Sequence, residues 1–370
     1  MCTTNQTNLV IRLIYWPVIC IIMEQYDKIK VKITEQIKNN LKDYRFTDDT
    51  FAKLKKTLDH ERFKHTTVCA KIHNGKLEII YDSPKKEKKR KHEMLQLIRN
   101  SISYYQKKNI TFPDVLFYLY VSDTYAYQYQ DLPLFIMAKP LNKTGILMPD
   151  NTFFCHDINQ RCYDWTSVKD ECKKTEHDKE NVLFFAGANT DAGRQNIRSG
   201  LYKLEVDGTT KMPLKILLKQ PKISLCEFKK FKYLLNLPGN QPWSYRFKYL
   251  FLMKSLVINV NVLQLYDEKN GWNHQWVNFF DVIFEKDVDY INIDYYWKEN
   301  DEVFNQKSFN DLITKLESTY EQYDKNDDAY KMMAQSGYDK VNMITDDLIN
   351  ESIYILFNEY SKLYDFSKLL

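Results

Sequence analysis

Apolar positions recur along this chain with two periods, one helical and one of strands. Ile29, Ile33, Ile37 and Leu41 fall on one stripe among charged residues and predict an amphipathic helix. A Thr47-Asp48-Asp49 cap leads a second helix through Phe51, Leu54 and Leu58. Thr66–Ile72 and Lys76–Tyr81 flank Asn74-Gly75, the pattern of a hairpin with a two-residue turn. Glu93–Gln106 reads as a helix and Val115–Val121 as a continuous apolar strand of the buried parallel kind. Leu134–Met137 and Val182–Phe185 read as further strands, and Asn142–Asn151 as a loop.

The stretch from Lys232 to Val260 carries the most information. Tyr233–Leu237 is an apolar strand that runs into a Pro-Gly-Asn turn, a helix from about Tyr245, and a second strand at Leu256–Val260. That spacing is one βαβ unit, whose strands should be parallel. Asn261–Gln275 reads as a local insertion, followed by a strand at Tyr290–Ile293. Three helices close the sequence, over Phe309–Tyr323, Ala329–Ser336 and Asp346–Leu363. Asn326-Asp327-Asp328, Gly337 and a Thr345-Asp346 cap punctuate them. Strands alternating with helices place the chain in the α/β class, and 370 residues suffice for two modest cores.

Composition narrows this picture only slightly. Hydrophobic content of 44% with 15% aromatics excludes a disordered protein. The net charge of +4 is small, and much of it sits in Lys85–His92, a solvated loop or first helical turn. Nuclear localisation or nucleic-acid binding is the alternative use of that run, but nothing else demands a nucleic-acid partner. Seven scattered cysteines without paired spacing point to free thiols in a reducing compartment rather than a disulfide framework. Cys155–Cys162, with Cys172 and His177 beyond, lacks a zinc knuckle, so no metal site is expected there. The apolar run at residues 9–23 is interrupted by Arg12 and Pro17 and is short for a membrane span. It reads first as sequence upstream of a true start at Met23, and second as a signal anchor.

Three turns carry candidate chemistry. The turn with Gly239, Ser244 and Arg246 precedes a helix, where free backbone N–H groups and the helix dipole favour an anion such as a diphosphate. A helix start with a surface arginine is the plainer reading. Ala186-Gly187-Ala188-Asn189-Thr190 follows a strand and makes a second anion-friendly turn, with Arg194 one helical turn on or simply on a helix surface. Asp123 sits just past the carboxyl end of the Val115–Val121 strand, the edge at which open α/β sheets bind ligands, or it merely starts the next turn. Asp114 and Asp131 read as a turn and a surface residue.

Lys232, Tyr233, Gly239, Ser244, Tyr245, Arg246, Phe247, Lys248, Leu250, Leu252 and Ser255–Val257 together resemble the signature of glycosyltransferase family 90. This is the family of the Rumi-type protein O-glucosyltransferases and their capsule-associated relatives. Phe184–Arg194 is similar to its F-x-G-[SA]-x-T-x-x-x-R element, and Leu119–Gln128 to its strand ending in Asp. With the MMAQSGYDKV and EYSKL stretches, the resemblance covers most of residues 60–365.

The resemblance implies a GT-B-like fold, two Rossmann-like domains facing a cleft. Residues 24–180 would form the acceptor-side domain and 181–345 the nucleotide-sugar domain. Residues 346–370 would pack back on the first domain, with residues 1–23 standing apart. Asp123 takes the place of the general base. Gly187, Ala188, Thr190, Arg194, Gly239, Trp243, Ser244, Tyr245 and Arg246 fall where the donor is held. The implied reaction is inverting transfer of glucose or xylose from a UDP-sugar to a hydroxyl of a protein or glycan acceptor. No cofactor or metal is expected, because two arginines and a helix terminus can neutralise the departing diphosphate.

The chain departs from the family at Ala186, Ala188 and Asn189, where Arg, Ser and Arg are common. Cys155–Trp165 replaces a Gly- and Pro-rich loop. These departures leave open an inactive carbohydrate- or protein-binding relative. A cytoplasmic location is expected, with membrane association only through residues 9–23. The endoplasmic reticulum lumen or membrane is the alternative if those residues act as a signal.

Overall fold

A computed structural model describes residues 4–59, 63–82, 87–122, 125, 131–154, 164–174, 177–189, 197–218, 223–239, 243–265, 275–298 and 300–366, apart from the side chains of 4–22, 48, 264 and 265. The protein is α/β with mixed sheets. Ile29, Ile33, Ile37 and Leu41 are all buried on one face of α1 (Thr4–Leu41), a helix that runs through residue 23 without a break. Among the described residues no helix is long and apolar enough to cross a membrane. Helix α2 (Asp48–Thr57) starts at the expected cap, where the Thr47 N–H donates to Thr50 Oγ1 at 3.0 Å.

The first sheet has the order β2-β1-β3-β4-β6. Strands β1 (Thr67–His73) and β2 (Lys76–Asp82) form the hairpin, with positive φ at Asn74 and Gly75 as a type I′ turn requires. Asp114 caps it, accepting from the Asn74 N–H at 2.8 Å. Strand β3 (Val115–Tyr120) is buried as expected, but it is only half parallel: antiparallel to β1 and parallel to β4 (Leu134–Ile136). Strand β6 (Ile146–Leu147) lies in the stretch read as a loop. The basic run forms the first turns of α3 (Lys88–Gln106). There Lys91 is buried and paired with Asp82 at 2.7 Å.

The second sheet has the order β12-β10-β9-β7-β8 and is parallel throughout. Its strands are β7 (Glu180–Gly187), β8 (Leu214–Leu218), β9 (Phe231–Asn236), β10 (Leu256–Leu265) and β12 (Ile291–Lys298). The βαβ unit is present: β9 and β10 are parallel neighbours joined through α6 (Phe247–Phe251). One face of this sheet packs under α5 (Ile197–Asp207), α7 (Glu302–Asp324) and α8 (Asp327–Asn342). The other face joins a core that runs on into the first sheet. A small antiparallel pair, β5 (Ala138–Pro140) with β11 (Trp276–Asn278), bridges the two halves. Helix α9 (Asp346–Ser361) packs on α1, α3 and β3, and Tyr360 OH donates to Leu116 O at 3.1 Å.

Three further expectations are corrected. Residues 261–265 continue β10 instead of starting an insertion, because Val262 adds to the buried face and the residues pair with β12 through Leu265. Gly337 does not end a helix. It lies within α8, where the absent side chain lets Phe251 and the Asp289 carbonyl approach. Cys172 and Cys226 are not free thiols. Helix α4 (Trp165–Lys174) and the 3-10 turn Leu225–Lys230 bring their Cα atoms to 5.0 Å, and they form a disulfide. Cys69 is free and buried.

A Cβ at Gly337 would lie 2.5 Å from Phe251 Cδ1 and 3.1 Å from Asp289 O. Gly337→Ala, which usually stabilises a helix interior, is therefore expected to cost about 1–3 kcal/mol through overpacking. Urea unfolding of the variant against wild type measures it.

Candidate functional site

In the second sheet the order of strands reverses between β7 and β9, so the crevice beyond their carboxyl ends is the position at which doubly wound sheets bind ligands. Both family-like turns leave the sheet there. Phe185, near the end of β7, is fully buried, with the guanidinium carbons of Arg246 and Arg198 4.7 and 4.9 Å from its ring centre. Arg246 donates to Ala186 O. Its terminal nitrogens would lie 3.2 and 3.3 Å from a Cβ at Gly187, a close approach that a side chain there would crowd. Arg198 donates to Ala188 O at 2.6 Å and to Pro238 O. The two arginines thus tie the turn after β7 to the turn after β9.

The second turn is held by its own contacts. The Gly239 N–H donates to Trp243 O at 3.2 Å, and the Trp243 and Tyr245 rings meet edge to face at 4.4 Å. Ser244 Oγ accepts from the Arg246 N–H at 3.2 Å. Gly187, Ala188, Gly239, Trp243, Ser244, Tyr245 and Arg246 are therefore gathered at the carboxyl ends of two adjacent strands. Thr190, Arg194 and Asp123 lie outside the described residues. Arg198 was not singled out from the sequence, although it stands four residues after Arg194 at the start of α5. Helix α6 begins at Phe247 and has five residues, so its dipole adds little. Any anion cradle here rests on turn amides and arginine.

A cavity of about 810 Å³ lies between this edge and the first half. Trp243 and Ser244 line it; Gly187, Ala188 and Arg246 do not. The sheet's inner face explains its chemistry. Phe184, Leu234 and Val257 on that face are core residues, whereas Asn236, Asn259 and Asn261, farther along the same face, are polar and line the cavity. Their carboxamides form a directed ladder. Asn236 Nδ2 donates to Asn259 Oδ1 at 2.7 Å, and Asn259 Nδ2 to Asn292 Oδ1 at 2.8 Å. Asp294 Oδ1 accepts from Asn292 at 2.8 Å and from Asn261 at 2.9 Å. Asp294 Oδ1 accepts at one end of this ladder, which fixes the direction of the amides and leaves Asn236 Oδ1 as the acceptor at the other end.

That acceptor, Asn236 Oδ1, is buried without a hydrogen-bond partner among the described residues, as are Asn40 Nδ2 and Asn278 Oδ1. All three residues line the cavity. A wall built from the carboxamides of Asn40, Asn236, Asn259, Asn261 and Asn278 suits a ligand with several hydroxyl or amide groups. On the opposite wall α1 contributes Gln36, Asn39 and Asn40, with Asp43 in the turn just after it, and Gln36 Nε2 also donates to Phe279 O at 2.8 Å.

Two charged groups shape the surroundings. Lys248, in α6, pairs with Asp150 of the first half at 2.7 Å; both side chains are buried, and the ammonium also lies 4.8 Å from the Phe153 ring centre. Asp281 lines the cavity. Burial pushes its carboxyl up to about 7, against the Asn278 N–H, which it accepts at 2.8 Å, and the Lys248 ammonium. Among the described residues no three His, Cys, Asp or Glu converge on a metal-sized site.

Compared with models of known protein families and with curated proteins, the chain matches none.

Removing the Lys248 ammonium leaves Asp150 charged and buried. Lys248→Met is therefore expected to cost about 3–5 kcal/mol, and Lys248→Met with Asp150→Asn less than that, measured by denaturant unfolding. Asp281 has its carboxyl raised in the fold, so the unfolded chain gives up this proton first. Its contribution is fully present below pH about 4 and falls as pH rises to about 7. Asp281→Asn is expected to flatten the decline in melting temperature over that window, with variant and wild type diverging upward from pH 4.

Proposed function

We propose that this protein is an inverting glycosyltransferase of GT-B type, which moves glucose or xylose from a UDP-sugar to a hydroxyl of a protein or glycan acceptor. One observation carries the reading. The two turns that resemble family 90 donor elements, far apart in sequence, are tied together by Arg246 and Arg198 at the switch point of a parallel sheet. They stand beside a cavity walled with carboxamides. A sugar and a uracil ring both offer hydroxyl, N–H and carbonyl groups that such a wall can pair. In this reading Arg246 and the turn amides stabilise the leaving diphosphate, and Asp123 takes the acceptor proton. Residues 24–180 form the acceptor side, residues 181–345 hold the donor, and no metal takes part. The Cys172–Cys226 disulfide favours an oxidising compartment, the lumenal alternative, over the cytoplasm.

A second reading, an inactive binding relative, draws on one specific contact. Arg246 is engaged with Ala186 O and Phe185 and does not line the cavity.

The test is binding and hydrolysis of a panel of UDP-, GDP- and ADP-sugars by the full chain in EDTA, with Asp123→Asn and Arg246→Ala alongside. One UDP-sugar should bind and turn over slowly. Arg246→Ala should weaken its binding roughly tenfold or more, the scale of a charged hydrogen bond. Asp123→Asn should bind it without turnover. Absence of binding by any nucleotide sugar at millimolar concentration rejects the transferase and leaves the binding protein.

A further inference from the structure

Three lysines are buried among the described residues: Lys91, Lys139 and Lys248. Two of them have a carboxylate, Lys91 on Asp82 and Lys248 on Asp150, each at 2.7 Å. Lys139 has neither an ion pair nor a side-chain hydrogen bond with any described residue. It is 7% exposed, sits in the middle of β5 opposite Val277 of β11, and lines the cavity. An unpaired ammonium in such a place is costly, and proteins retain one where something else supplies the counter-charge. Asp43, which also lines the cavity, is near enough to act on Lys139 but does not pair with it. Burial lowers the ammonium's pKa to about 8, and the Asp43 charge offsets only part of that.

We propose that Lys139 is an anion-binding residue, and that the cavity takes a ligand whose phosphate-type oxyanion seats on its ammonium. The lysine comes from the first half of the chain, whereas Trp243 and Ser244 face the same cavity from the turn after β9. A diphosphate held between them would be gripped from both halves. In naming a nucleotide diphosphate, the inference rests on the transferase reading; the anion site itself does not.

Calorimetric titration of the full chain at pH 7 with inorganic pyrophosphate, UDP and uridine tests the site. Lys139→Met, Lys139→Arg and, as a remote control, Lys331→Met are compared with wild type. Wild type should bind pyrophosphate and UDP. Lys139→Met should lose at least about tenfold for both and leave uridine unchanged, whereas Lys139→Arg should stay near wild type. Lys139→Met should melt no lower than wild type, because it removes an unpaired buried charge. Equal binding of UDP and pyrophosphate by Lys139→Met overturns the anion site and leaves the transferase reading standing. Lysine-dependent binding of pyrophosphate, with no added affinity for UDP, keeps the site and counts against a nucleotide donor. Failure of wild type to bind any of these anions overturns the site.

A measurement on wild type alone guards against a misfolded variant. Acetylation at pH 8, read by mass spectrometry, should label Lys139, and pyrophosphate should protect it. Labelling that pyrophosphate does not slow overturns the proposal.

Discussion

A buried ammonium is costly without a counter-charge, and Lys248 finds one in Asp150, on the other half of the chain. The geometry around the cavity follows from that pairing. Lys248 belongs to the short helix between β9 and β10, so the ion pair holds the turn bearing Trp243, Ser244 and Arg246 at a set distance from the first half. Asp150 is itself oriented by the Thr152 N–H, which it accepts at 3.0 Å. The Phe153 and Tyr249 rings close over the ammonium and keep water out. Neither half presents a finished wall alone. The cavity exists because the two are docked through this pair, through β5 with β11, and through a shared apolar core.

The inner face of the parallel sheet divides its labour along its length. Toward the amino ends of the strands it is apolar and belongs to the shared core; toward the carboxyl ends it is a row of carboxamides. Carboxamides suit this position because they are neutral, so they can be desolvated at moderate cost and still offer both donors and acceptors. The single carboxylate, Asp294, stands at the far end of the row and orders the amides. A wall prepared in this way would lose little entropy on meeting a ligand, because its side chains are already fixed to one another.

Much of the scaffold was legible in the sequence. The stripe of α1, the Thr47 and Thr345 caps, the Asn74-Gly75 turn and the parallel β9–β10 pair each follow from local rules, because local spacing and backbone preference decide them. What escaped depends on partners distant in sequence. Gly337 reads as a helix stop until Phe251 and Asp289 are seen against it. Cys172 and Cys226 stand 54 residues apart and meet only because α4 docks beside the turn before β9. The asparagine ladder was visible as a period of two in Val257–Val262 and Asn292–Asp294, but β10 was cut short at Val260, so the alternation was not followed. Of the site, Gly187, Trp243, Ser244 and Arg246 were found through a motif. Arg198, Lys139 and Asp281 were not, because burial alone makes them unusual and no spacing encodes burial.

Helix α9 fills the core of the first half from far along the chain. Phe357 stacks on Phe135 at 5.1 Å, and Tyr364 OH reaches the Leu116 carbonyl across 248 residues of sequence. The part of the first sheet that α9 covers, around β3 and β4, therefore emerges from the ribosome exposed, and it stays so while the whole second sheet is made. Such long-range closure slows folding and exposes apolar surface meanwhile. The half of the molecule synthesised first is the one completed last, and during synthesis it is the half most in need of a chaperone.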